Sequence, residues 1–151
     1  MTHEVRIEQH SGIPLAVVRR QAAQQNLSKV VPEACGLVWN ALRSQNITGA
    51  GRHIALYFDD VINLEVGVEM SAPYLGDDRL VASNTPAGRV VTTTHLGPYG
   101  GLGAAHQAIL QSCRANGDEL AGPSWEFYGH WQSDWNQHPE RIRTDIYYLL
   151  K

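Results

Sequence analysis

The chain opens on an alternating stretch, Val5-Arg6-Ile7-Glu8, whose apolar and polar residues change places at every step, as a strand with one buried face requires. Gly12 marks a turn, and Pro14-Leu15-Ala16-Val17-Val18 begins a second strand. The period then changes. Val30, Val31, Ala34, Leu37, Val38, Ala41 and Leu42 recur at helical spacing, which predicts a helix from about Ser28 to Gln45. Ser28 is its expected N-cap, and Pro32 is expected within the first turn, where a missing N–H costs little. Two strands follow, His53 to Asp59 and Ile62 to Met70, joined across Asp59-Asp60.

The second half repeats the order. Arg79 to Ser83 reads as a short strand, and Val90-Val91-Thr92-Thr93-Thr94 forms the β-branched centre of a strand from Arg89 to His95. Gly97-Pro98-Tyr99 leads into a helix that ends near Asn116, with Gly117 suited to the position just past its end. Strands from Ser124 to His130 and from Arg143 to Leu150 close the chain around a polar loop, Gln132 to Arg141. Gly51 recurs as Gly122, 71 positions on, and Leu15 aligns with Arg89, 74 positions on. The expected fold is therefore α+β. Two pseudo-two-fold strand-strand-helix-strand-strand units, about 4–70 and 78–150, form one domain over residues 1–151, with helices on one face of an antiparallel sheet and a cleft between the halves.

Alternation assigns faces. Ile54, Leu56 and Phe58 are expected to face the helix, with Trp125 and Phe127 as their counterparts. Tyr57, Glu126 and Tyr128 then share the opposite face. In the last strand Asp145, Tyr147 and Leu149 alternate with Ile146, Tyr148 and Leu150; the pattern leaves open which set faces the cleft, and Tyr147 is favoured for the place beside Glu126. One carboxylate among tyrosines is unlike a solvated sheet face and suits a ligand cleft. Trp39 either walls that cleft or packs in the core. His95 either caps the second helix or reaches the cleft. Glu65 and Glu69 are expected to be solvated.

Composition narrows the chemistry. Twelve basic against fifteen acidic residues give a net charge of −3, with no basic run to track a phosphate backbone, so direct nucleic-acid binding is not expected. No apolar run approaches the ~20 residues of a membrane span, and no leader peptide is read at the N-terminus, so a cytoplasmic setting is expected. Cys35 and Cys113 form no disulfide framework. The seven histidines show no His-x-x-x-His pair or zinc spacing, so no metal and no cofactor are expected. A haem would need an axial ligand in the cleft, and none stands out. His106 falls on the apolar stripe with Leu102, Ala105, Ile109 and Cys113 and is read as a hydrogen-bonded core histidine.

Three stretches resemble a known family. His95-Leu96-Gly97-Pro98-Tyr99 is similar to the strand-to-helix junction of GyrI-like effector-binding domains. Gly122-Pro123-Ser124-Trp125-Glu126-Phe127-Tyr128 resembles their acidic strand, and Arg143-Thr144-Asp145-Ile146-Tyr147 their closing strand. That family includes gyrase-inhibitor-like proteins and the ligand-sensing halves of multidrug-responsive transcription activators. The resemblance implies a cleft in which Glu126 meets cationic or amphipathic molecules. The expected ligand set is Glu126, Tyr57, Tyr128, Tyr147, Trp39 and His95. Some relatives are hydrolases of reactive cyclopropane-containing compounds, which would use Glu126 with Tyr147 or Tyr57. Gyrase-inhibitor-like members act on a protein partner, DNA gyrase, for which Trp131 and Trp135 would offer a surface or, alternatively, a lid. No helix-turn-helix is read before residue 5, so a DNA-binding regulator is not expected.

Overall fold

The computed structural model describes residues 3–46, 49–58, 63–72, 76, 80–130 and 132–151. The expected connection at Asp59-Asp60, the strand start at Arg79 and Trp131 lie outside them. Eight strands are formed: β1 (Arg6–His10), β2 (Pro14–Gln21), β3 (Ala50–Tyr57), β4 (Asn63–Met70), β5 (Val81–Asn84), β6 (Gly88–Leu96), β7 (Leu120–Tyr128) and β8 (Arg143–Leu150). Two helices are present among the longer elements, α1 (Leu27–Ser44) and α2 (Leu102–Asn116). The strands make one antiparallel sheet in the order β1-β6-β8-β7-β3-β4-β2-β5.

Helix starts differ from expectation. Asn26, not Ser28, occupies the N-cap of α1, so Pro32 is the sixth helical residue and removes one interior backbone hydrogen bond. A 3₁₀ turn precedes each helix, at Gln24–Asn26 and Tyr99–Gly101. Gly117 ends α2 at φ 73°, a left-handed conformation that strains any residue with a Cβ even though the space around it is open.

The strand order is palindromic about the β7–β3 junction. The first strand of each half crosses to the other half, β1 pairing with β6 and β5 with β2. Arg6 pairs Thr92 while Val81 pairs Val17, and Leu27 opens α1 as Leu102 opens α2; each counterpart lies 75 positions away. Leu15 therefore corresponds to Val90, not to Arg89. The expected offset of 74 was short by one, and in a strand one position exchanges the faces.

Both faces of the sheet are buried. On one, α1 packs through Ala34, Val38, Ala41 and Leu42 onto Ala16, Val18, Leu64, Val66 and Val68, while α2 packs through Ala105, Ile109 and Cys113 onto Val91, Ile146 and Leu150. On the other, Leu15, Val17, Ile54, Leu56, Val90, Trp125 and Phe127 form a second buried cluster, drawn from β2, β3, β6 and β7 and including no residue of either helix. This reverses the expected faces. Ile54, Leu56, Trp125 and Phe127 point away from the helices; Tyr57, Glu126 and Tyr128 point toward them. Alternation separates two faces but does not say which carries the helices when each is apolar. Phe58, expected in the core, lies past the end of β3 and is exposed. Trp125 and Phe127 are nearly inaccessible, and truncating either should cost about 3–5 kcal/mol.

The non-helix face also carries charge across the junction. Arg52 Nε donates to Glu69 at 2.9 Å, Arg52 Nη1 donates to Asp145 at 2.9 Å, and the guanidinium lies 4.5 Å from the Phe127 ring centre. Glu69 is thus paired rather than solvated. Glu65, also expected in water, is 3% exposed and held by Arg19 and Ser83.

Candidate functional site

Glu126 sits mid-strand on β7, opposite Ala55 of β3. At 71 positions' remove, Ala55 is also its counterpart in the repeat, so the local two-fold passes between these two residues. Tyr57 and Tyr128, likewise counterparts, flank the pair from either side. Ala55 is fully buried, so only a single methyl stands opposite the acid.

The carboxylate is 6% exposed and both its oxygens are engaged. Tyr128 donates its hydroxyl to Oε1 at 2.7 Å. His106 of α2 approaches Oε2 through Nε2 at 2.7 Å, and its Nδ1 meets the Tyr148 hydroxyl at 2.6 Å. With Glu126 ionised, Nε2 carries the proton and Nδ1 accepts from Tyr148. The Tyr57 hydroxyl lies close enough to the Tyr128 hydroxyl and the Glu126 carboxylate to be influenced by both. Burial, and then the Glu126 charge, pushes the Tyr57 and Tyr128 hydroxyls well above the usual phenol range, and Tyr148 up to about 12. All three phenols stay protonated in neutral solution. Burial raises the Cys35 thiol of α1 to about 11, so it is a neutral wall rather than a nucleophile.

Of the residues expected to form the site, Glu126, Tyr57 and Tyr128 come together. Tyr147 does not. It lies on the opposite face, its ring stacked on Trp125 with centroids 5.6 Å apart, because β8 is apolar on both sides and nothing in its sequence marks the cleft side. Its neighbour Tyr148 takes the position. Trp39 is 47% exposed on α1, tilted against His53 at 6.4 Å. His95 is buried at the β6-to-α2 turn. Its Nε2 bonds the Pro98 carbonyl at 3.1 Å and its Nδ1 meets His3 Nε2 at 3.1 Å. The turn it braces carries Tyr99, whose ring meets Tyr128 edge-on at 5.9 Å. Trp135 is 8% exposed and packs against Gly129, so it offers no partner surface.

His106, Tyr148 and Tyr99 were not singled out for the site by the sequence. Their counterparts explain part of this. At the equivalent positions of the first half, His106 is replaced by Val31, Glu126 by Ala55 and Tyr148 by Val68. One half supplies a hydrogen-bonded triad and the other an apolar wall. The exception in an otherwise apolar pairing is the signal that could have found them. Two surface depressions of about 600 and 590 Å³ lie along Arg19 and Arg20 of β2, and none of their lining residues belongs to this cluster.

Among the described residues no group of three His, Cys, Asp or Glu is arranged to hold a metal, and no helix is long and apolar enough to cross a membrane. The arrangement can bind a cation or a hydrogen-bond donor at Glu126 and pack aromatic or aliphatic surface against the tyrosines and α1.

Solved structures share this fold. The EcmrR C-terminal domain superposes with a TM-score of 0.78 at 18% identity, over 100% of this chain and 99% of that one. An EcmrR–DNA complex matches over 99% of this chain and 57% of its own, with a TM-score of 0.73 at 18% identity, so this fold occurs within a DNA-binding regulator. SAV2435, solved bound to tetraphenylphosphonium, gives a TM-score of 0.70 at 10% identity over 98% and 94% of the two chains. A hydrolase from Listeria innocua gives 0.64 at 9% identity over 98% and 92%. No curated protein sequence matches the chain. The model of the GyrI-like small-molecule-binding domain matches residues 3–151, and the chain belongs to that family.

Proposed function

We propose that this protein binds small amphipathic or cationic organic molecules, in the cytoplasm, at the site centred on Glu126. The observation that carries the reading is a nearly inaccessible carboxylate hydrogen-bonded to Tyr128 and His106 and bordered by Tyr57 and Tyr148. Desolvating an ionised acid is costly, and a lipophilic cation offsets that cost while its apolar groups cover the rings. That SAV2435 was solved with a lipophilic cation supports the choice of guest. Because Glu126 is covered, a guest reaches it by shifting Tyr99, which is half-exposed over Tyr128, or His106.

The test is a calorimetric titration with tetraphenylphosphonium. Glu126→Gln should weaken binding by about tenfold or more, about 1.4 kcal/mol for each factor of ten. Equal affinities for the two proteins would remove the electrostatic part of the reading.

A second reading is hydrolysis of electrophilic compounds. It is favoured by the continuous chain Glu126–His106–Tyr148, a carboxylate and an imidazole within hydrogen-bond reach of a phenol. Mass spectrometry after incubation with cyclopropane-containing electrophiles separates the readings. Hydrated product that disappears in Glu126→Gln supports turnover, and recovery of intact compound supports binding alone.

A further inference from the structure

His106 is the one imidazole in the cluster, and its two ring nitrogens face partners of different kinds. Nε2 faces Glu126, an acceptor whenever it is ionised. Nδ1 faces the Tyr148 hydroxyl, which donates to a bare nitrogen and accepts from a protonated one by rotating its hydrogen. The ring can therefore take up a proton without losing either hydrogen bond. The other titratable groups around it are Glu126 and Tyr128 on β7, Tyr57 on β3, Tyr148 on β8, Cys35 on α1 and Cys113 on α2. The phenols and thiols are all shifted upward and stay neutral from pH 5 to pH 8.

We infer that His106 sets the charge class of the guest. With its ring neutral, the Glu126 site carries one net negative charge and accepts a cation; with its ring protonated, the site is a closed neutral ion pair and releases it. The inference rests on the small-molecule reading above and adds its selectivity. The pseudo-equivalent Val31 shows that the fold does not need a polar residue here, so the imidazole serves the site rather than the packing.

Tetraphenylphosphonium is the probe, because its charge does not change with pH. For the unaltered protein its Kd should weaken about tenfold or more between pH 8 and pH 5.5, across the range in which an imidazole gains its proton. His106→Gln and His106→Val should both bind with a Kd that changes less than about twofold over the same range. The response of the His106 ring resonance to pH, followed by NMR in the unaltered protein, should move to lower pH when the cation is bound, as reciprocal linkage demands. The anion tetraphenylborate, of similar shape, should show the opposite trend.

A pH-independent Kd in the unaltered protein would overturn the role of His106 and leave cation binding standing. Parallel weakening of both ions on acidification would overturn it too, since loss of structure would then be the cause. Absence of tetraphenylphosphonium binding at every pH, in protein shown to be folded, would overturn the cation-binding reading itself.

Discussion

Each side chain at the site owes its place to a neighbour of particular size. Glu126 is accommodated because the residue opposite is Ala55. Ala55→Leu would force a larger side chain against the acid. Overpacking is expected to lower stability by about 1–3 kcal/mol in denaturant unfolding, and tetraphenylphosphonium titration should show a larger loss of affinity than Glu126→Gln produces. Glu126, Tyr57 and Tyr128 were legible from strand alternation alone, since residues two apart share a face wherever that face points. Tyr147 was not, because its stacking partner Trp125 belongs to a second core on the face without helices, which alternation along β8 does not reveal. His106, read as a hydrogen-bonded core histidine, is hydrogen-bonded on the inner face of α2, and its partners are Glu126 and Tyr148. The inward stripe of a helix holds core residues and site residues alike, and periodicity does not tell them apart.

Among the elements, the order and kind of strands and helices followed the pattern, while β3 and β7 begin three and four residues earlier than expected. β8 is as expected, and α2 ends at the glycine that suggested it. Gly117→Ala should cost about 1–2 kcal/mol, read as a lower Tm, because Ala resists a φ of 73°. The β2–β4 pair makes a sharper demand. A Cβ on Gly67 would lie 2.0 Å from the Ala16 carbonyl oxygen, a backbone atom that cannot step aside. Gly67→Ala should therefore fail to give soluble folded protein, or show a broad, early melt in circular dichroism. Nothing in the sequence around Gly67 foretold this, since close approach is a property of two strands and not of one. The same holds for register: β2 and β6 are each recognisable, yet their correspondence slipped by one residue because both carry apolar residues on adjacent positions.

On the scale of the whole molecule, the exchanged strands β1 and β5 tie each half into the other. Unfolding should be one cooperative transition, with tryptophan fluorescence and far-ultraviolet circular dichroism giving coincident melts. The Arg52 bridge spans the same junction. Although burial alone would raise the Glu69 carboxyl, its bonds to Arg52 bring it below the usual carboxylate range. A depressed folded-state value contributes stability that is present above the unfolded value of about 4.3 and lost as pH falls toward the folded one. Tm should thus drop on acidification below about pH 4.5, and Arg52→Met should flatten that part of the profile. The palindromic sheet has one more consequence. A guest lodged beside the Ala55–Glu126 pair finds the scaffold unchanged by half a rotation, so backbone shape alone offers two equivalent poses. For the proposed guest the tie would be broken by upholstery: the end bearing imidazole and phenol suits a polar group, and the valine end a greasy one.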